Sequence, residues 1–382
     1  MFKLAVLFCQ SLLVLLAVTL SQSLLAQSVP QFAVDAGWPK PLPNDWIIGQ
    51  VAGIDVDHND TIWIVHRPHS LTAQEAAAIQ TPPTALCCVP APSVLQFDQE
   101  GNLLQAWGGP YWDRRTSSWV DDSPSQVWPT NEHGIKVDSE GNVWLAGNGE
   151  GDQVLKYNND GSELLLVIGE LDRDRPYQVD SSDTSRLARP AELDFDEVAR
   201  EVYIADGYGN RRIIVFDMDT GEYKRHWGAY GYAPEDSALP PYTPESTPAP
   251  QFRGPVHSVR LSDDGLVYVA DRTGDRIQVF QKNGDFVEEG LIAPWTLANG
   301  SVWDIEISPE AGQAFLYVAD GANKRIWIVE RESLELVGEI GSGGRNAGFF
   351  DWVHNVAIDS EGNIYTSEVN EGKRVQKFLR TE

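Results

Sequence analysis

One stretch of sequence recurs six times along this 382-residue chain, and the repetition constrains the fold more than any other feature. Each copy contains an alternating apolar segment ending in Asp or Ser, a turn of Gly, Asn or Asp, a second segment such as VYVAD, a polar turn, and a third segment such as RIQVF. Period-two alternation of β-branched and aromatic residues predicts short antiparallel strands. The copies begin at Gly53, Gly134, Glu192, Ser258, Asp304 and Asn355.

Most copies continue into a fourth apolar segment, so the repeat predicts an all-β fold, a six-bladed β-propeller of four-stranded antiparallel blades. The last copy has only three segments before the chain ends. We therefore expect the stretch from Gln31 to Asp35 to supply its fourth strand and close the ring. The pattern resembles that of NHL-repeat propellers, a resemblance that implies the fold alone because propellers carry many functions. The predicted domain covers residues 29–382.

The first 28 residues predict a secretory signal peptide. Lys3 precedes an apolar run from Leu4 to Leu20, and small and polar residues follow up to Ser28. The alternative interpretation is an uncleaved membrane anchor, because the run is long for a signal. We expect a secreted or periplasmic protein that is free of the membrane after cleavage.

The overall charge limits the class of partner. The chain has 29 basic and 56 acidic residues, which gives a formal net charge of −27. Such acidity disfavours binding to nucleic-acid phosphates or anionic lipid. It also means that a cluster of His and Arg inside the protein requires an explanation.

Three of the seven histidines occupy the same place in alternate repeats. The first strand of each blade lines the central channel, so equivalent residues form a ring, and alternate members of that ring form a triangle. Three neutral imidazoles with an open fourth position are typical of catalytic zinc. The alternative is that the three histidines are polar side chains that only form hydrogen bonds at the strand starts. Aligned just before the first strand, the six positions are Ala52, His133, Ala191, His257, Trp303 and His354.

Two arginines and a tyrosine are predicted above the triangle, because a second strand ends at the edge where the first begins. Arg67 and Arg272 end the second strands of opposite blades, and Tyr208 follows the equivalent strand of the third blade. Taken singly, each could be an ordinary surface or turn residue. Long insertions favour a binding site on this face; they span residues 68–92, 110–130, 171–187 and 229–252.

The segments around these residues resemble those of the peptidyl-α-hydroxyglycine α-amidating lyases, a family of six-bladed zinc propellers. EHGIKVD, VHSVRLS and WVHNVAID are similar to its PHGL, PHSL and PHD motifs, and WIVHRPH, ADGYGNRRI and ADRTGDRIQ resemble the segments with its essential Arg and Tyr residues. The resemblance implies a Zn²⁺ ion on His133, His257 and His354. It assigns the catalytic roles to Tyr208, Arg67 and Arg272.

The implied reaction cleaves the C–N bond of a peptidyl or N-acyl α-hydroxyglycine to an amide and glyoxylate. Tyr208 would act as the base, and the two arginines would hold the carboxylate and the developing charge. The expected partner is thus a small-molecule or peptide substrate with a carboxylate, bound by a monomer. One alternative is a zinc enzyme for another small α-hydroxy acid derivative. The other is a non-catalytic NHL propeller that binds a peptide or protein partner.

The sequence departs from the family pattern in several places. Gly209 replaces a family cysteine, and Trp352 replaces a methionine. The resemblance also implies a structural Ca²⁺ ion in the channel, reached by carbonyls such as that of Ile135, but Asn355 replaces the acidic residue that assists it. The blade-one insertion carries the adjacent pair Cys87-Cys88, for which we predict a vicinal disulfide with two separate thiols as the alternative.

Overall fold

A computed structural model describes residues 28–113, 116, 118–120, 127–170 and 177–381. The predicted signal peptide lies outside this range except for Ser28, so it stays a prediction. The described chain forms six sheets of four antiparallel strands, which confirms the predicted β-propeller. No helix in these ranges is long and apolar enough to cross a bilayer.

The strands follow the order of the repeats. The chain opens with β1 (Phe32–Asp35) and β2 (Trp46–Ile47). Blade one and its insertion contain β3 (Gln50–Val56), β4 (Ile62–Arg67), β5 (Val89–Pro90), β6 (Val94–Phe97) and β7 (Leu103–Trp107). A small hairpin follows, β8 (Tyr111–Asp113) and β9 (Ser118–Val120). Blade two contains β10 (Glu132–Val137), β11 (Val143–Gly147), β12 (Val154–Tyr157) and β13 (Leu164–Ile168).

The remaining blades are similar in length and order. Blade three contains β14 (Leu193–Asp196), β15 (Glu201–Asp206), β16 (Arg212–Asp217) and β17 (Tyr223–Trp227). Blade four contains β18 (Val256–Leu261), β19 (Leu266–Asp271), β20 (Arg276–Gln281) and β21 (Phe286–Leu291). Blade five contains β22 (Asp304–Ile307), β23 (Phe315–Asp320), β24 (Arg325–Glu330) and β25 (Glu335–Ile340). Blade six contains β26 (Val353–Ile358), β27 (Ile364–Glu368) and β28 (Val375–Arg380).

Short 3₁₀ turns join some strands, at Pro68–Ser70, Ala77–Ile79, Ala229–Gly231 and Arg272–Gly274. β2 pairs with β5 in a parallel two-stranded sheet, and β8 pairs with β9. The insertion of residues 68–92 joins the second and third strands of blade one, as the sequence predicts. The insertions of residues 110–130 and 171–187 fall only partly within the described residues.

A recurring aspartate shapes the turn between the first two strands. In blade two, Asp138 accepts hydrogen bonds from the backbone N–H groups of Glu140 and Asn142 and from the Trp144 indole, the last at 3.0 Å. Asp57 and Asp359 make the same turn in blades one and six. The carboxylate therefore holds a tight turn and also satisfies the polar atom of a buried aromatic side chain.

A second aspartate, at the end of the second strand, ties the preceding inter-blade loop to its blade in blades three and four. Asp206 accepts hydrogen bonds from the Ala188 backbone at 2.8 Å and from Arg212 at 3.0 Å, and both charged side chains are fully buried. Asp271 does the same with Arg276 and the Gly254 backbone. The loops before the first strands are thereby held at the face that carries the candidate site.

The ring closes between the two ends of the described chain. β1 pairs antiparallel with β28, so that Phe32 lies opposite Arg380 and Val34 opposite Phe378. The N-terminal strand thus completes blade six, as the sequence predicts. Phe32 and Val34 pack against the apolar cluster between blades five and six, which contains Phe350 and Phe378.

Loss of this closure should destabilise the whole ring. We expect Val34→Asp to lower the free energy of unfolding by about 2 kcal/mol, because it places a charge against an apolar cluster. Ala33→Asp is the matched control, since Ala33 is exposed on the other face of the same strand. Thermal and urea unfolding of both variants check this, and equal stability of the two would contradict the closing role of β1.

Candidate metal centre and active site

β-bulges direct the three histidines toward the channel. The register between first and second strands shifts between Glu132 and Gly134, and likewise at His257 and His354. The sequence alignment placed these histidines just before the first strand, whereas each lies one residue inside it. A bulge leaves one residue unpaired and re-aims its side chain. The bulge is therefore the local feature that turns each imidazole to the axis.

The three imidazoles form a nearly equilateral triangle. Their ring centroids are 4.8 Å apart for His133 and His354, and 4.9 Å apart for the other two pairs. One nitrogen from each ring lies within 4.8 Å of the others. His133 and His257 are fully buried and His354 is 2% exposed. These residues could hold a single metal ion.

Each imidazole is oriented by the blade that follows its own. His133 Nδ1 donates to the Ala191 carbonyl at 3.0 Å, and His257 Nδ1 donates to the Trp303 carbonyl. His354 Nδ1 lies against Asn355 Oδ1, and a hydrogen bond with the Ala52 backbone also reaches this ring. Ala52, Ala191 and Trp303 are the non-histidine members of the ring of six positions. Because these backbone contacts use the Nδ1 atoms, the Nε2 atoms of His133 and His257 are the ones that could bind a metal.

The three imidazoles are neutral, which is the protonation state that metal binding requires. Burial, together with the neighbouring His354, holds the pKa of His133 well below its usual value. Burial and the neighbouring His133 do the same for the pKa of His257. Burial and the positive charge of Arg67 lower the pKa of His354 to about 3.

Tyr208 lies directly over the triangle. Its hydroxyl oxygen is 3.1 Å from His133 Nε2 and 3.0 Å from His257 Nε2. Arg272 Nη1 donates to the same oxygen at 3.1 Å. The residue follows β15 in a turn, where its backbone N–H donates to the Arg189 carbonyl at 3.2 Å. Two imidazoles and one guanidinium therefore converge on one phenolic oxygen.

The two predicted arginines are held in place by neutral groups. Arg272 stacks on Trp303, with its guanidinium carbon 4.1 Å from the ring centroid, and its buried Nε has no hydrogen-bond partner among the described residues. Arg67 Nε donates to the Glu132 carbonyl at 2.7 Å, and its Nη1 donates to Gln50 at 3.2 Å. Burial lowers the pKa of both arginines, although each remains a cation at neutral pH.

The sequence did not predict Arg189 at this site, and it indicated Trp303 as a ring position without its contact to Arg272. The guanidinium carbon of Arg189 lies 5.8 Å from the centroid of the Tyr208 ring, and Trp303 supports Arg272. Arg189 lies in the loop before blade three, outside the repeated strand segments, so alignment of the repeats could not reveal it. Trp303 belongs to the ring of six aligned positions, and its large aromatic side chain was the feature of the sequence that could have indicated its contact with Arg272.

The blade-one insertion carries the predicted vicinal disulfide. Cys87 and Cys88 are bonded to each other in the structure. The preceding Leu86 is 93% exposed, and the following residues Val89–Pro90 form β5. The insertion is anchored to the propeller through the pairing of β5 with β2.

Comparison with known proteins gives several distant relatives. The chain is 28% identical over 361 residues to peptidyl-glycine alpha-amidating monooxygenase B of Xenopus laevis, covering 90% of this chain and 35% of that protein. It is 23% identical over 372 residues to peptidyl-alpha-hydroxyglycine alpha-amidating lyase 1 of Drosophila melanogaster, covering 90% of this chain and 58% of that protein. The chain thus spans about a third of the length of the Xenopus protein.

Other comparisons concern the fold. NHL repeat-containing protein 3 of Mus musculus is 26% identical over 377 residues, covering 92% of this chain and 84% of that protein. The solved structure of streptogramin B lyase superposes with a TM-score of 0.52 at 12% identity, covering 92% of this chain and 98% of that one, and shows the fold alone. No family model matches the chain. As the sequence motifs implied, homologues of this chain include peptidyl-alpha-hydroxyglycine alpha-amidating lyase and NHL repeat proteins, and its six-bladed propeller agrees with both.

Proposed function

We propose that this protein is an exported, zinc-dependent lyase that cleaves the C–N bond of a peptidyl or N-acyl α-hydroxyglycine to an amide and glyoxylate. The names of the distant relatives support lyase activity. The observation that carries the specific proposal is the Tyr208 hydroxyl, which lies within 3.1 Å of two buried imidazoles and of Arg272. Export rests on residues 1–28 alone.

The donor set fits zinc. His133, His257 and His354 supply three neutral nitrogens from one side, which is the ligand pattern of catalytic rather than structural zinc sites. The backbone carbonyls on the Nδ1 atoms are the kind of outer partner that metal-binding histidines use. When bound, zinc supplies Lewis-acid chemistry to the reacting oxygen of the substrate.

Tyr208 is placed to carry the proton of the reaction. Arg272 donates a charge-assisted hydrogen bond to the Tyr208 oxygen, which we assign as the base of the reaction. The phenolate takes the proton of the substrate hydroxyl, the C–O bond becomes a carbonyl, and the C–N bond breaks. The departing nitrogen keeps the bonding electrons and takes the proton back from Tyr208. The products are an amide and glyoxylate, and no water is consumed.

Arg67 and Arg272 are suited to hold the carboxylate of the α-hydroxyglycine. Both are largely withdrawn from water, where a guanidinium binds a carboxylate more strongly than at the surface. They approach from opposite blades, which orients the bound carboxylate across the channel mouth. The stacking of Arg272 on Trp303 restricts its movement, so little entropy is lost on binding.

The zinc assignment predicts a joint loss of metal and activity. We expect the wild type to bind about one zinc ion per chain and to release glyoxylate from α-hydroxyhippurate. We expect His257→Ala to lose both the zinc ion and the glyoxylate release. His58→Ala is the control, because His58 is exposed and bonds only the neighbouring Asn59 side chain. Elemental analysis and a glyoxylate assay are made on the same samples. Absence of metal from the wild type would refute the enzyme proposal and favour a binding propeller.

The role of Tyr208 predicts that the reaction fails while the metal remains. We expect Tyr208→Phe to keep its zinc and to lose about 10²- to 10⁴-fold in kcat, the range for removal of a general acid–base group. Tyr232→Phe is the matched control, since Tyr232 is 63% exposed. Full turnover by Tyr208→Phe would instead favour a different reaction on another α-hydroxy acid derivative.

A further inference from the structure

Arg189 adds a third guanidinium to the mouth of the channel, beside Arg67 and Arg272. Its backbone has a φ of 63°, the left-handed region that a non-glycine residue rarely adopts. Two contacts hold it there: its carbonyl accepts the Tyr208 N–H at 3.2 Å, and its Nε donates to the Asn148 carbonyl at 2.7 Å. Unusual backbone conformations of this kind are concentrated at functional sites.

The guanidinium groups around Tyr208 form no close ion pair, although the charge of the Glu132 carboxylate reaches Arg67 at longer range. Within the described part of the chain, no carboxylate lies within ion-pair distance of Arg67, Arg189 or Arg272. Elsewhere, buried arginines are paired, as Arg212 is with Asp206 at 2.9 Å and Arg276 with Asp271 at 2.8 Å. In a protein with a net charge of −27, acidic partners are abundant, so unpaired arginines at one place indicate a site for anions.

The three arginines differ in which of their side-chain nitrogens already donate hydrogen bonds. Arg272 Nη1 donates to the Tyr208 oxygen. Arg67 Nε donates to the Glu132 backbone carbonyl, and its Nη1 donates to the Gln50 side chain. Arg189 uses only Nε, for Asn148, among the described contacts. Its side chain is half-buried, and its two terminal nitrogens have no hydrogen-bond partner among the residues that the structure describes. A pair of such nitrogens is the geometry that binds a carboxylate bidentately.

We infer that Arg189 forms a second anion subsite, so that the substrate carries a carboxylate on its acyl part as well as on the α-hydroxyglycine. This inference rests on the proposed function, which assigns the α-carboxylate to Arg67 and Arg272. Arg189 comes from the loop before blade three, whereas Arg67 ends the second strand of blade one and Arg272 directly follows the second strand of blade four. It is therefore placed to contact a different part of the substrate, and it selects N-acyl groups derived from dicarboxylic acids.

Two pairs of probes test this inference. The first pair, α-hydroxyhippurate and its 4-carboxy derivative, measures turnover. The second pair, hippurate and 4-carboxyhippurate, lacks the hydroxyl and measures binding by calorimetry without any reaction. We expect the 4-carboxy group to improve both kcat/KM and Kd by about 10- to 100-fold in the wild type, the size of a charge-assisted hydrogen bond.

Substitution of Arg189 should remove this preference. We expect both ratios to fall to near one in Arg189→Gln and to be intermediate in Arg189→Lys, which keeps the charge and loses the bidentate geometry. Arg211→Gln is the control that should keep the preference, because it removes an arginine of blade three whose guanidinium donates to the Ser237 carbonyl.

The outcomes separate the two proposals. Equal Kd values for hippurate and 4-carboxyhippurate in the wild type would overturn the subsite, whatever the enzyme does. A binding preference that depends on Arg189, with no glyoxylate from either hydroxylated probe, would support the subsite and refute the proposed reaction.

A second, independent observation concerns the channel below the histidines, where the family resemblance implies calcium. Arg260 is 3% exposed there, and its guanidinium lies 3.3 Å from both Asp304 and Glu306 and 3.9 Å from Glu192. Asn355, which replaces the acidic residue of the family pattern, donates its side-chain N–H to Glu192 at 3.0 Å and to Asp304 at 3.2 Å.

These residues do not fit a calcium ion. Calcium requires six to eight oxygen ligands, several of them free carboxylates. Here the carboxylates of Asp304 and Glu306 already face a guanidinium, and Asn355 directs its side-chain N–H groups at Glu192 and Asp304. A further internal cation, Lys136, lies 2.9 Å from Asp55. We infer that Arg260 takes the structural role that the resemblance assigns to calcium.

Calcium dependence of stability tests this role. We expect the wild-type Tm to be the same in CaCl₂ and in EGTA. Arg260→Met should have a lower Tm, which calcium partly restores, because the acids are left without a cation and any ligand bound only by the folded state is stabilising. Arg331→Met is the control, since Arg331 pairs with the exposed Asp264. A wild-type Tm that rises with calcium, or calcium bound to the purified protein, would overturn the inference even if Arg260→Met fails to fold.

Discussion

The hydrogen bonds between the channel histidines and the backbone of the next blade are the interaction on which the site depends. His133 of blade two donates to Ala191 of blade three, and His257 of blade four donates to Trp303 of blade five. The imidazole of His354 in blade six is reached by the Ala52 backbone of blade one. The acceptors are main-chain groups, so blade packing sets their positions. The triangle is therefore complete only when all six blades are in place and the ring is closed.

This dependence explains why the closing strand β1 affects the histidine triangle, although it does not contribute a residue to it. β1 pairs with β28 at the outer edge of blade six, whereas His354 lies on the innermost strand of the same blade. A propeller blade buries its faces against its neighbours and cannot keep its position alone. Displacement of blade six would move one imidazole relative to the other two. A site built from three blades needs spacing that only a closed ring maintains.

The charges are arranged differently on the two sides of the triangle. Below it, Arg260 and Lys136 are paired with buried acids, which favours a unique arrangement of the channel residues even where the net gain in stability is small. Above it, Arg67, Arg189 and Arg272 are held by carbonyls, an amide and aromatic rings. Neutral partners fix the positions of these arginines without cancelling their charge. A strongly acidic protein thereby keeps a positive channel mouth, as the proposed anionic substrate would require.

The sequence by itself determined the repeat, the number of blades, the closing strand and the alternation of histidines around the axis. It could do so because each is a local pattern repeated in register: strand periodicity, turn chemistry and one equivalent position per copy. It also predicted that Arg67, Tyr208 and Arg272 share one face, because antiparallel strands bring their ends to a common edge.

The tertiary structure alone decided the bulges that aim the histidines, the contact of Tyr208 with two imidazoles, and the arrival of Arg189 and Trp303 at the same site. The contacts of Tyr208, Arg189 and Trp303 join residues that are far apart along the chain, and these three residues lie outside the repeated strand segments. Their partners are frequently backbone carbonyls, which any amino acid supplies. No pattern of side chains marks such groups in a sequence, so only the closed ring reveals them.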